Sequence, residues 1–591
     1  MVPLMCGIAG YKGTEDATQV VIEGLRRLEY RGYDSWGVAS INNDHIELFR
    51  REGRIGQVSI SRIGRSSGIS IGHTRWATHG GVCESNAHPH LSFDSKVAVV
   101  HNGIIENYQE LRSGLQSRDI ALQSQTDTEV IPHLIALELT QDTSFAEAVR
   151  KACLRLKGSY AIVAVHQDFD EIVVARDGSP VVIGTRMDES DKEFFVASDV
   201  TAFLDRTKEV VYLRDGDLAV INSSLEVRRI IDASHVDFKI ETVPWSLDEA
   251  SKGEYHHFMQ KEIHEQPQVV VSALAQDDSA LAQASSWIGE AGRVIVVACG
   301  SSALAGMVGQ AYFRSLAGKD VQVVLGSESD SIIPCLSSQD VLIAVSQSGE
   351  TADTIHAVKT AKAKGVRLIS IVNATGSSLS RISDIVLPMR SGPEICVVAT
   401  KSYISTVSIL ARLASMVAKT DITSFSNLST SMKSLIASVE PQVAALAVRI
   451  AKSKDIFVIG RGLLYPTSLE AALKLKETCY IHAEGFAGGE LKHGSIALIE
   501  TGIPVIALAD DSTRALIVSN AMEVRARGGW VIGVDTKPNE AYDVFIQVPD
   551  LGLLQPLISI VPLQLLAYHV AVVKGLDPDK PRNLAKSVTV K

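Results

Sequence analysis

Polar segments near the amino terminus carry side chains that could act on a carbonyl carbon. Cys6 offers a thiol nucleophile, and a cysteine at a chain terminus also offers its own α-amine, with a pKa of about 8, as the proton acceptor. Histidine, arginine, asparagine and carboxylate side chains are concentrated in residues 72–80, 86–90, 101–107 and 126–129. A lone cysteine is more often a small buried thiol, so the nucleophile hypothesis depends on these neighbouring segments.

Two loops in the second half of the chain could bind a phosphate group. Residues 346–351, Ser-Gln-Ser-Gly-Glu-Thr, lie between an apolar strand and a helix, where hydroxyls and backbone N–H groups meet a helix amino terminus. Residues 299–302, Cys-Gly-Ser-Ser, follow an earlier strand in the same way. Either loop alone is equally well explained by an N-cap and a tight turn. Two such loops at the carboxyl ends of neighbouring strands favour a ligand crevice.

A helical segment further along places three charged side chains on one face. Glu470, Lys474 and Glu477 are spaced by four and then three residues, which brings them together on an α-helix. Without further context, a solvated ladder of ion pairs explains this spacing better than catalysis does. A lysine and two carboxylates can also form an imine and move a proton, so the alternative stays open.

The composition excludes several classes of protein. The 591 residues are 46% hydrophobic and 21% charged, which is typical of globular domains. The net charge of −11 argues against a binder of nucleic acid or anionic membranes. Residues 551–573 are uncharged and long enough to span a bilayer, but their two prolines and several polar side chains favour a buried strand and helix. We expect a cytoplasmic protein that binds neither nucleic acid nor a membrane.

The seven cysteines are widely spaced, odd in number and free of any C-x-x-C pair. This pattern is typical of a reducing compartment rather than of a disulfide framework or a zinc site. His88 and His90 could form a metal-binding pair, but no third ligand suggests itself. We therefore expect neither a metal nor a cofactor.

The first part of the chain reads as a mixed α and β domain with packed sheets. Helical patterns at residues 16–28 and 127–139 interrupt a series of short β-branched runs bounded by turn residues. These runs predict strands at residues 97–100, 160–165, 171–175, 194–197, 210–213 and 218–221. A polar stretch at residues 241–253 marks the expected domain boundary.

The rest of the chain alternates apolar strands with amphipathic helices, which predicts a parallel, doubly wound sheet. The alternation begins twice, at residues 293–298 and again at residues 455–460, so we expect two copies of one α/β subdomain. A loop that follows corresponding strands differs between the copies, since residues 346–351 offer neutral donors whereas residues 509–514 are acidic. An anion is therefore expected in the first copy.

Residues 6–10 (CGIAG) and 25–35 (LRRLEYRGYDS), with the polar segments above, resemble the glutaminase domain of amidotransferases whose nucleophile is the amino-terminal residue. More narrowly, nearly the whole chain resembles the glutamine–fructose-6-phosphate aminotransferase family, whose second half consists of tandem sugar isomerase (SIS) domains. The resemblance implies an α+β amino-terminal-nucleophile glutaminase domain followed by two α/β doubly wound SIS subdomains. The expected limits are 6–240 for the glutaminase, 241–253 for a linker, 254–430 and 431–575 for the SIS subdomains, and 576–591 for an active-site tail.

The resemblance implies roles for individual residues of the first half. Cys6 would attack the side-chain amide of L-glutamine, while Asn102 and Gly103 would stabilise the oxyanion. Arg75 would bind the α-carboxylate of glutamine, and Asp127 its α-ammonium group. Further substrate contacts are implied for Arg31, Trp76, Thr78 and His79.

The resemblance also implies a sugar-phosphate site in the second half. Lys586 would form an imine with fructose 6-phosphate, Glu477 would carry the proton between C1 and C2 with help from Lys474, and His493 would open the sugar ring. In the family this histidine reaches the site of a neighbouring subunit, which implies a homodimer. The phosphate would be bound by Ser302, Ser346, Gln347, Ser348 and Thr351.

The implied activity is synthesis of glucosamine 6-phosphate from fructose 6-phosphate, with ammonia supplied by glutamine and passed along a water-excluding route near Trp76 and Lys586. An enzyme acting on another sugar phosphate, as a deglycase or aminotransferase, is the main alternative. A phosphosugar sensor or an amidotransferase with a different acceptor fits less well.

Three features depart from the family pattern. Ser301 stands where threonine is common, and Ala399 lacks a hydroxyl, so no binding role is carried onto it. Residues 1–5 precede Cys6, so the α-amine mechanism requires a working protein that begins at Cys6.

Overall fold

The computed structural model describes residues 6–29, 32–42, 45–56, 68–76, 80–187, 192–243, 249, 251–374, 376–422 and 424–588. It divides into two compact units. Met1–Ala250 and Ala585–Lys591 form the first unit, and Ser251–Leu584 form the second.

The first unit combines antiparallel strands with four described helices. The strands are β1 (Gly7–Lys12), β2 (Ser35–Asn42), β3 (His45–Glu52), β4 (Ile69–Arg75), β5 (His90–Leu91), β6 (Val97–Ile105), β7 (Gly158–His166), β8 (Phe169–Asp177), β9 (Val182–Met187), β10 (Lys192–Ala197), β11 (Glu209–Tyr212), β12 (Asp217–Ile221), β13 (Leu225–Arg229) and β14 (Glu241–Thr242). The helices are α1 (Ala17–Arg27), α2 (Tyr108–Gln116), α3 (Val130–Glu138) and α4 (Phe145–Cys153).

These elements form a four-layer sandwich. The strand orders are β14-β11-β9-β10-β1-β4-β2-β3 in one sheet and β13-β12-β8-β7-β6-β5 in the other. Alternate side chains of each strand point to opposite faces, so Ile8 and Ile71 of the first sheet share a buried cluster with Val163 and Val174 of the second. Helix α1 packs on the outer face of the first sheet, and α3 and α4 pack on that of the second. The predicted mixed α and β fold with packed sheets is confirmed.

The second unit contains two parallel sheets and the helices that cover them. Its strands are β15 (Val294–Ala298), β16 (Val321–Leu325), β17 (Val341–Ser346), β18 (Arg367–Val372), β19 (Ile385–Pro388), β20 (Asp455–Gly460), β21 (His482–Ala487), β22 (Pro504–Leu508), β23 (Trp530–Asp535) and β24 (Val544–Gln547). Its helices are α5 (Phe258–His264), α6 (Gln266–Leu274), α7 (Asp278–Glu290), α8 (Gly300–Ala317), α9 (Ala352–Ala363), α10 (Ser378–Ile382), α11 (Lys401–Ala418), α12 (Phe425–Ile450), α13 (Leu464–Cys479), α14 (Arg514–Arg525), α15 (Gln555–Ser559) and α16 (Val561–Val573).

The two parallel sheets have the same strand order, β16-β15-β17-β18-β19 and β21-β20-β22-β23-β24. The predicted pair of doubly wound α/β subdomains is therefore confirmed. In this order the chain changes direction across the sheet between β15 and β17, and ligands bind beyond the carboxyl ends of the strands at such a point. The loops at residues 299–302 and 346–351 follow β15 and β17.

The apolar segment near the carboxyl terminus is helical throughout, so the strand expected there was wrong. It consists of a 3₁₀ turn, Gly552–Leu554, followed by α15 and α16. Pro556 and Pro562 lie in the first turns of these helices, where a missing N–H costs nothing. Gly552–Val573 is long and apolar enough to cross a membrane, but 83% of its most apolar window is buried inside the second unit. The segment is core of the second unit.

Gly103 occupies a position in β6 that other residues cannot adopt without strain. Its φ of 125° lies in the region open to glycine, and a Cβ there would lie 1.9 Å from the carbonyl oxygen of Ser159 on β7. A side chain at residue 103 would therefore push β6 and β7 apart.

Gly103→Ala is expected to destabilise the first unit by about 3 kcal/mol, because the backbone strain and the steric clash add. Gly114→Ala, on the exposed face of α2 where a Cβ meets open space, is the matched control and is expected to stabilise by about 1 kcal/mol. Hydrogen exchange of β6 and β7 in the full chain measures the difference. Equal protection in the two variants would contradict the prediction.

Candidate active sites

Cys6 lies immediately before β1, and its sulfur contacts the backbone of the residue that follows β4. Sγ accepts a hydrogen bond from the N–H of Trp76, the residue after β4, at 3.2 Å. Burial raises the pKa of the Cys6 thiol to about 11, against the opposing effects of that hydrogen bond and of the Arg75 guanidinium. The thiol is therefore protonated at neutral pH, and its attack on a carbonyl carbon requires a base.

The side chain of Asn102, on β6, links the two sheets beside Cys6. Its Nδ2 donates to the carbonyl oxygen of Cys6 at 2.9 Å, and its Oδ1 lies 2.9 Å from Nε2 of His73 on β4. The amide nitrogen has a second hydrogen, which can donate to a negative oxygen that develops next to Sγ. Gly103, the other predicted oxyanion donor, follows directly in β6.

Arg75 and Asp127 are buried polar residues with fixed orientations. The Arg75 guanidinium donates to the carbonyl oxygens of Gly80 at 3.4 Å and Gly81 at 3.2 Å. Oδ2 of Asp127 accepts the N–H of Ile105, at the end of β6, at 2.8 Å. A guanidinium and a carboxylate held in this way can bind the two charged groups of an α-amino acid.

The buried amide of Asn86 connects the segments that hold these two charges. Its Nδ2 donates to the carbonyl oxygen of Gly81 at 2.9 Å, and its Oδ1 accepts the N–H of Gln125 at 2.8 Å. Gly81 holds Arg75, and Gln125 lies two residues before Asp127. The spacing between cation and carboxylate is therefore set by hydrogen bonds of the Asn86 side chain to the backbone of both segments.

Two residues close to Cys6 were not among the predicted site residues. His73 orients Asn102, and Asp34 donates its backbone N–H to the carbonyl oxygen of Arg75 at 3.0 Å while its carboxylate raises the pKa of Cys6. Both lie in sequence segments that carry the resemblance, but nothing in their spacing distinguished them. Trp76 packs edge-on against Tyr33, with ring centroids 5.1 Å apart.

The predicted contacts Arg31, Thr78 and His79 lie outside the described residues.

The loop between β17 and α9 presents hydroxyl and N–H groups at the amino end of a helix. Ser346 Oγ lies 2.9 Å from Thr351 Oγ1 and accepts the N–H of Gly349 at 3.0 Å. Ser348 Oγ accepts the N–H of Glu350 at 3.2 Å. This arrangement, at the amino end of a 12-residue helix, suits an anionic group such as a phosphate.

The remaining predicted phosphate contacts lie around the same crevice. The carbonyl oxygen of Gln347 accepts the N–H groups of Asn373 and Ala374, each at 3.2 Å, which fixes the loop to the segment after β18. Ser302 lies in the first turn of α8 and is half-buried. Because β15 pairs with β17, the loops that contain Ser302 and Gln347 lie at the same edge of the sheet.

Lys474, on α13, is fully buried among three polar side chains. Its Nζ donates to Glu477 at 2.6 Å, lies 3.2 Å from Glu470, and donates to the hydroxyl of Ser301 at 2.9 Å. Ser301 in turn donates to Oε1 of Glu470 at 3.1 Å. Ser301 belongs to α8 of the first SIS copy, so the network joins the two copies, and spacing along α13 alone did not reveal it.

Burial and charge act in opposite directions in this network. Burial alone would lower the pKa of Lys474, but the carboxylates of Glu470 and Glu477 outweigh it and raise that pKa. Burial raises the pKa of Glu470 to about 7 even though Lys474 opposes the shift. Lys474 is therefore charged at neutral pH, because the two carboxylates favour its ammonium form.

The other predicted catalytic residues differ in exposure. The side chain of Glu477 is 21% exposed, so one side of the Lys474 network is open to a ligand. His493 is exposed at the end of a 3₁₀ turn, Glu490–His493. Lys586 belongs to the carboxy-terminal segment that groups with the first unit, so its predicted place beside Glu477 stays a prediction.

The corresponding loop of the second SIS copy is closed by its own carboxylates. Asp510 Oδ1 accepts the hydroxyl of Ser512 at 2.7 Å and the N–H of Thr513 at 2.8 Å. Arg514 is paired with Asp535, whose Oδ1 lies 2.7 Å from a guanidinium nitrogen. The carboxylate of Asp510 thus already accepts a hydroxyl and an N–H donor of this loop.

Comparison with known proteins agrees with both halves. A family model for a glutamine amidotransferase domain matches residues 73–205, and one for the SIS domain matches residues 288–416 and 449–574. The two SIS matches coincide with the two copies that form the parallel sheets.

Several relatives match this chain over its full length. Proteins named glutamine–fructose-6-phosphate aminotransferase (isomerizing) are 43% identical in Pyrococcus horikoshii, 42% in Methanothermobacter thermautotrophicus and 41% in Thermus thermophilus. Each alignment covers 99% of this chain and 100% of the relative.

A solved structure, the C-terminal domain of glucosamine-fructose-6-phosphate aminotransferase from Francisella tularensis, is similar with a TM-score of 0.50 and 31% identity. The match covers 56% of this chain and 99% of that one. The chain therefore belongs to the glutamine–fructose-6-phosphate aminotransferase (isomerizing) family.

Proposed function

We propose that this protein releases ammonia from L-glutamine at Cys6 and uses it to convert fructose 6-phosphate into glucosamine 6-phosphate. Hydrolysis of glutamine consumes water and yields glutamate and ammonia, and the amination of the sugar returns one water. The observation that carries the proposal is that one chain holds both a cysteine beside an oriented amide and a phosphate-type loop beside a buried Lys–Glu network.

In the first unit, we propose that Cys6 Sγ attacks the amide carbon of glutamine. Arg75 binds the α-carboxylate of the substrate and Asp127 its α-ammonium group, while Asn102 and Gly103 donate to the oxyanion. The contacts of Arg75 with two carbonyl oxygens and of Asp127 with Ile105 support this, because both charges are held in place before the substrate arrives.

The base in this scheme is the α-amine of Cys6 itself. A thiol with a pKa of about 11 needs a proton acceptor, and a free α-amine on the same residue has a pKa of about 8. This role requires that residues 1–5 are absent from the working enzyme.

In the second unit, we propose that the loop of Ser346–Thr351 binds the phosphate of the sugar, together with Ser302. The support is the helix amino terminus and the set of hydroxyls and N–H groups around it. In the same scheme Lys586, from the carboxy-terminal tail, forms the imine, and His493 opens the ring.

The proton moves between C1 and C2 through Glu477, which Lys474 holds by a hydrogen bond of 2.6 Å. A carboxylate oriented in this way can accept a proton from one carbon and return it to the next. We further propose that the enzyme is cytoplasmic, in line with its widely spaced cysteines. We also propose that it is a homodimer, because His493 is exposed, lies outside the Lys474 network of its own chain and can serve a neighbouring subunit.

Cys6→Ala is expected to abolish glutamine-dependent synthesis, by at least about 10⁴-fold, while isomerisation of fructose 6-phosphate persists. Cys335→Ala, which removes an exposed thiol of the second unit, is the matched control and should keep both activities. Assays of glucosamine 6-phosphate formed from glutamine, and of glucose 6-phosphate formed without glutamine, measure the two. Equal loss of both activities in Cys6→Ala, with unfolding unchanged, would refute two separate sites.

Lys586→Ala is expected to eliminate glucosamine 6-phosphate as a product while glutamine hydrolysis continues, because the imine cannot form. Lys452→Ala, an exposed lysine in the second unit, is the control. Product analysis by mass spectrometry distinguishes the outcomes. Absence of the product from the unmodified enzyme would overturn the proposed function, whereas full synthesis by Lys586→Ala would overturn only the role of that lysine.

Intact-mass measurement of the purified active enzyme is expected to show a chain that begins at Cys6. Glutaminase activity depends on that free α-amine in the proposed mechanism. Full activity in a preparation that retains Met1 would contradict it.

A further inference from the structure

His73 is a fully buried histidine in the middle of the first sheet. It lies on β4 and pairs with Ile8 of β1 and Gly37 of β2. Alternation along β4 places it on the same face as Ile71, which packs between the sheets. His73 therefore reaches toward β6 of the second sheet and not toward solvent.

The carbonyl group of Cys6 determines which ring nitrogen of His73 carries the hydrogen. The carbonyl oxygen of Cys6 can only accept, so the Asn102 group 2.9 Å from it is the nitrogen, Nδ2. The oxygen Oδ1 then faces His73, and a carboxamide oxygen can only accept as well. Nε2 of His73 must carry the hydrogen of that 2.9 Å contact.

The imidazole is held neutral by its surroundings. Burial lowers the pKa of His73 to about 3, and the nearby groups that can carry positive charge, His101 and Arg75, lower it further. The ring of His88 stacks on it with centroids 4.2 Å apart, and burial lowers the pKa of His88 as well. His73 is thus a fixed hydrogen-bond donor across the physiological pH range, and it does not carry protons in the reaction.

From this geometry we infer that His73 is a positioning residue for glutamine hydrolysis. It holds the Asn102 amide so that the amide N–H faces the oxygen that becomes negative when Cys6 attacks. The inference rests on the proposed function of the first unit. Without the Nε2–H donor, Oδ1 is a buried acceptor with no partner at that end, and the amide is held only by its contact with the Cys6 carbonyl. Rotation of the amide then removes its N–H from the developing oxyanion.

The expected loss is smaller than that of removing the oxyanion donor itself. Deleting such a donor costs about 10²–10³ in kcat, and misorientation with one contact left should cost about 10–100-fold. The loss should fall on kcat, since the hydrogen bond that is removed goes to Asn102 and not to a group proposed to bind the ends of glutamine.

The test compares His73→Phe with His73→Gln in the full chain. Phenylalanine keeps a ring against His88 and removes the donor, whereas the glutamine side chain restores an N–H. We expect kcat for glutamine hydrolysis to fall about 10–100-fold in His73→Phe with KM unchanged, and to recover at least about tenfold in His73→Gln. The shape of the pH profile should match the unmodified enzyme, and isomerisation of fructose 6-phosphate should not change.

A transition-state probe separates positioning from general damage. The aldehyde carbon of L-glutamate γ-semialdehyde adds to the Cys6 thiol and forms a tetrahedral adduct whose oxygen lies where the oxyanion forms. This compound should bind His73→Phe about 10–100-fold more weakly than it binds the unmodified enzyme. The product glutamate should bind both proteins equally. Unchanged kcat in His73→Phe, a loss confined to KM, or a shifted pH profile would each overturn the inference. If the unmodified enzyme failed to hydrolyse glutamine, the proposed function would fail first.

Discussion

The Asn102 amide is the interaction on which the first unit's site depends. It is a buried polar group between two sheets, and such a group is stable only when both its nitrogen and its oxygen are paired. Cys6 supplies a carbonyl on one side and His73 an N–H on the other, both from the first sheet, while Asn102 comes from the second. The hydrogen bonds that satisfy the amide also fix the position of the Asn102 side chain relative to Cys6.

In the second unit, a buried charged group is paired with side chains of opposite charge. Lys474 is completely buried, and it is tolerable there because Glu470, Glu477 and Ser301 surround its ammonium group. Ser301 comes from the first SIS copy and the other three from the second, so the network exists only where the copies pack together. The two copies differ in the loop after the second strand of each, since Asp510 accepts the N–H of Thr513 in the second copy, whereas Ser346 accepts the N–H of Gly349 in the first.

Much of the fold could be predicted because it follows from local patterns. Apolar strands bounded by turn residues gave β15 to β18 within one or two residues, and the repeat of that rhythm gave the second copy. The segment 551–573 was harder, since an apolar run without periodicity does not distinguish strand from helix, and packing on all sides chose helices. Several strands of the first unit, β2 and β3 among them, were not predicted, because glycine and serine in β2 and charged residues in β3 depart from the β-branched runs that marked the others.

By itself, the sequence determined the residue types of both sites, the order of the domains and the family, because these depend on motifs that are contiguous in the chain. Only the tertiary structure decided that His73 orients Asn102, that Asn86 connects the loops of Arg75 and Asp127, and that Ser301 completes the Lys474 network. Each of these contacts joins residues far apart in sequence through a hydrogen bond. Such a bond depends on distances of a few tenths of an ångström, and only the packed sheets and helices set those distances.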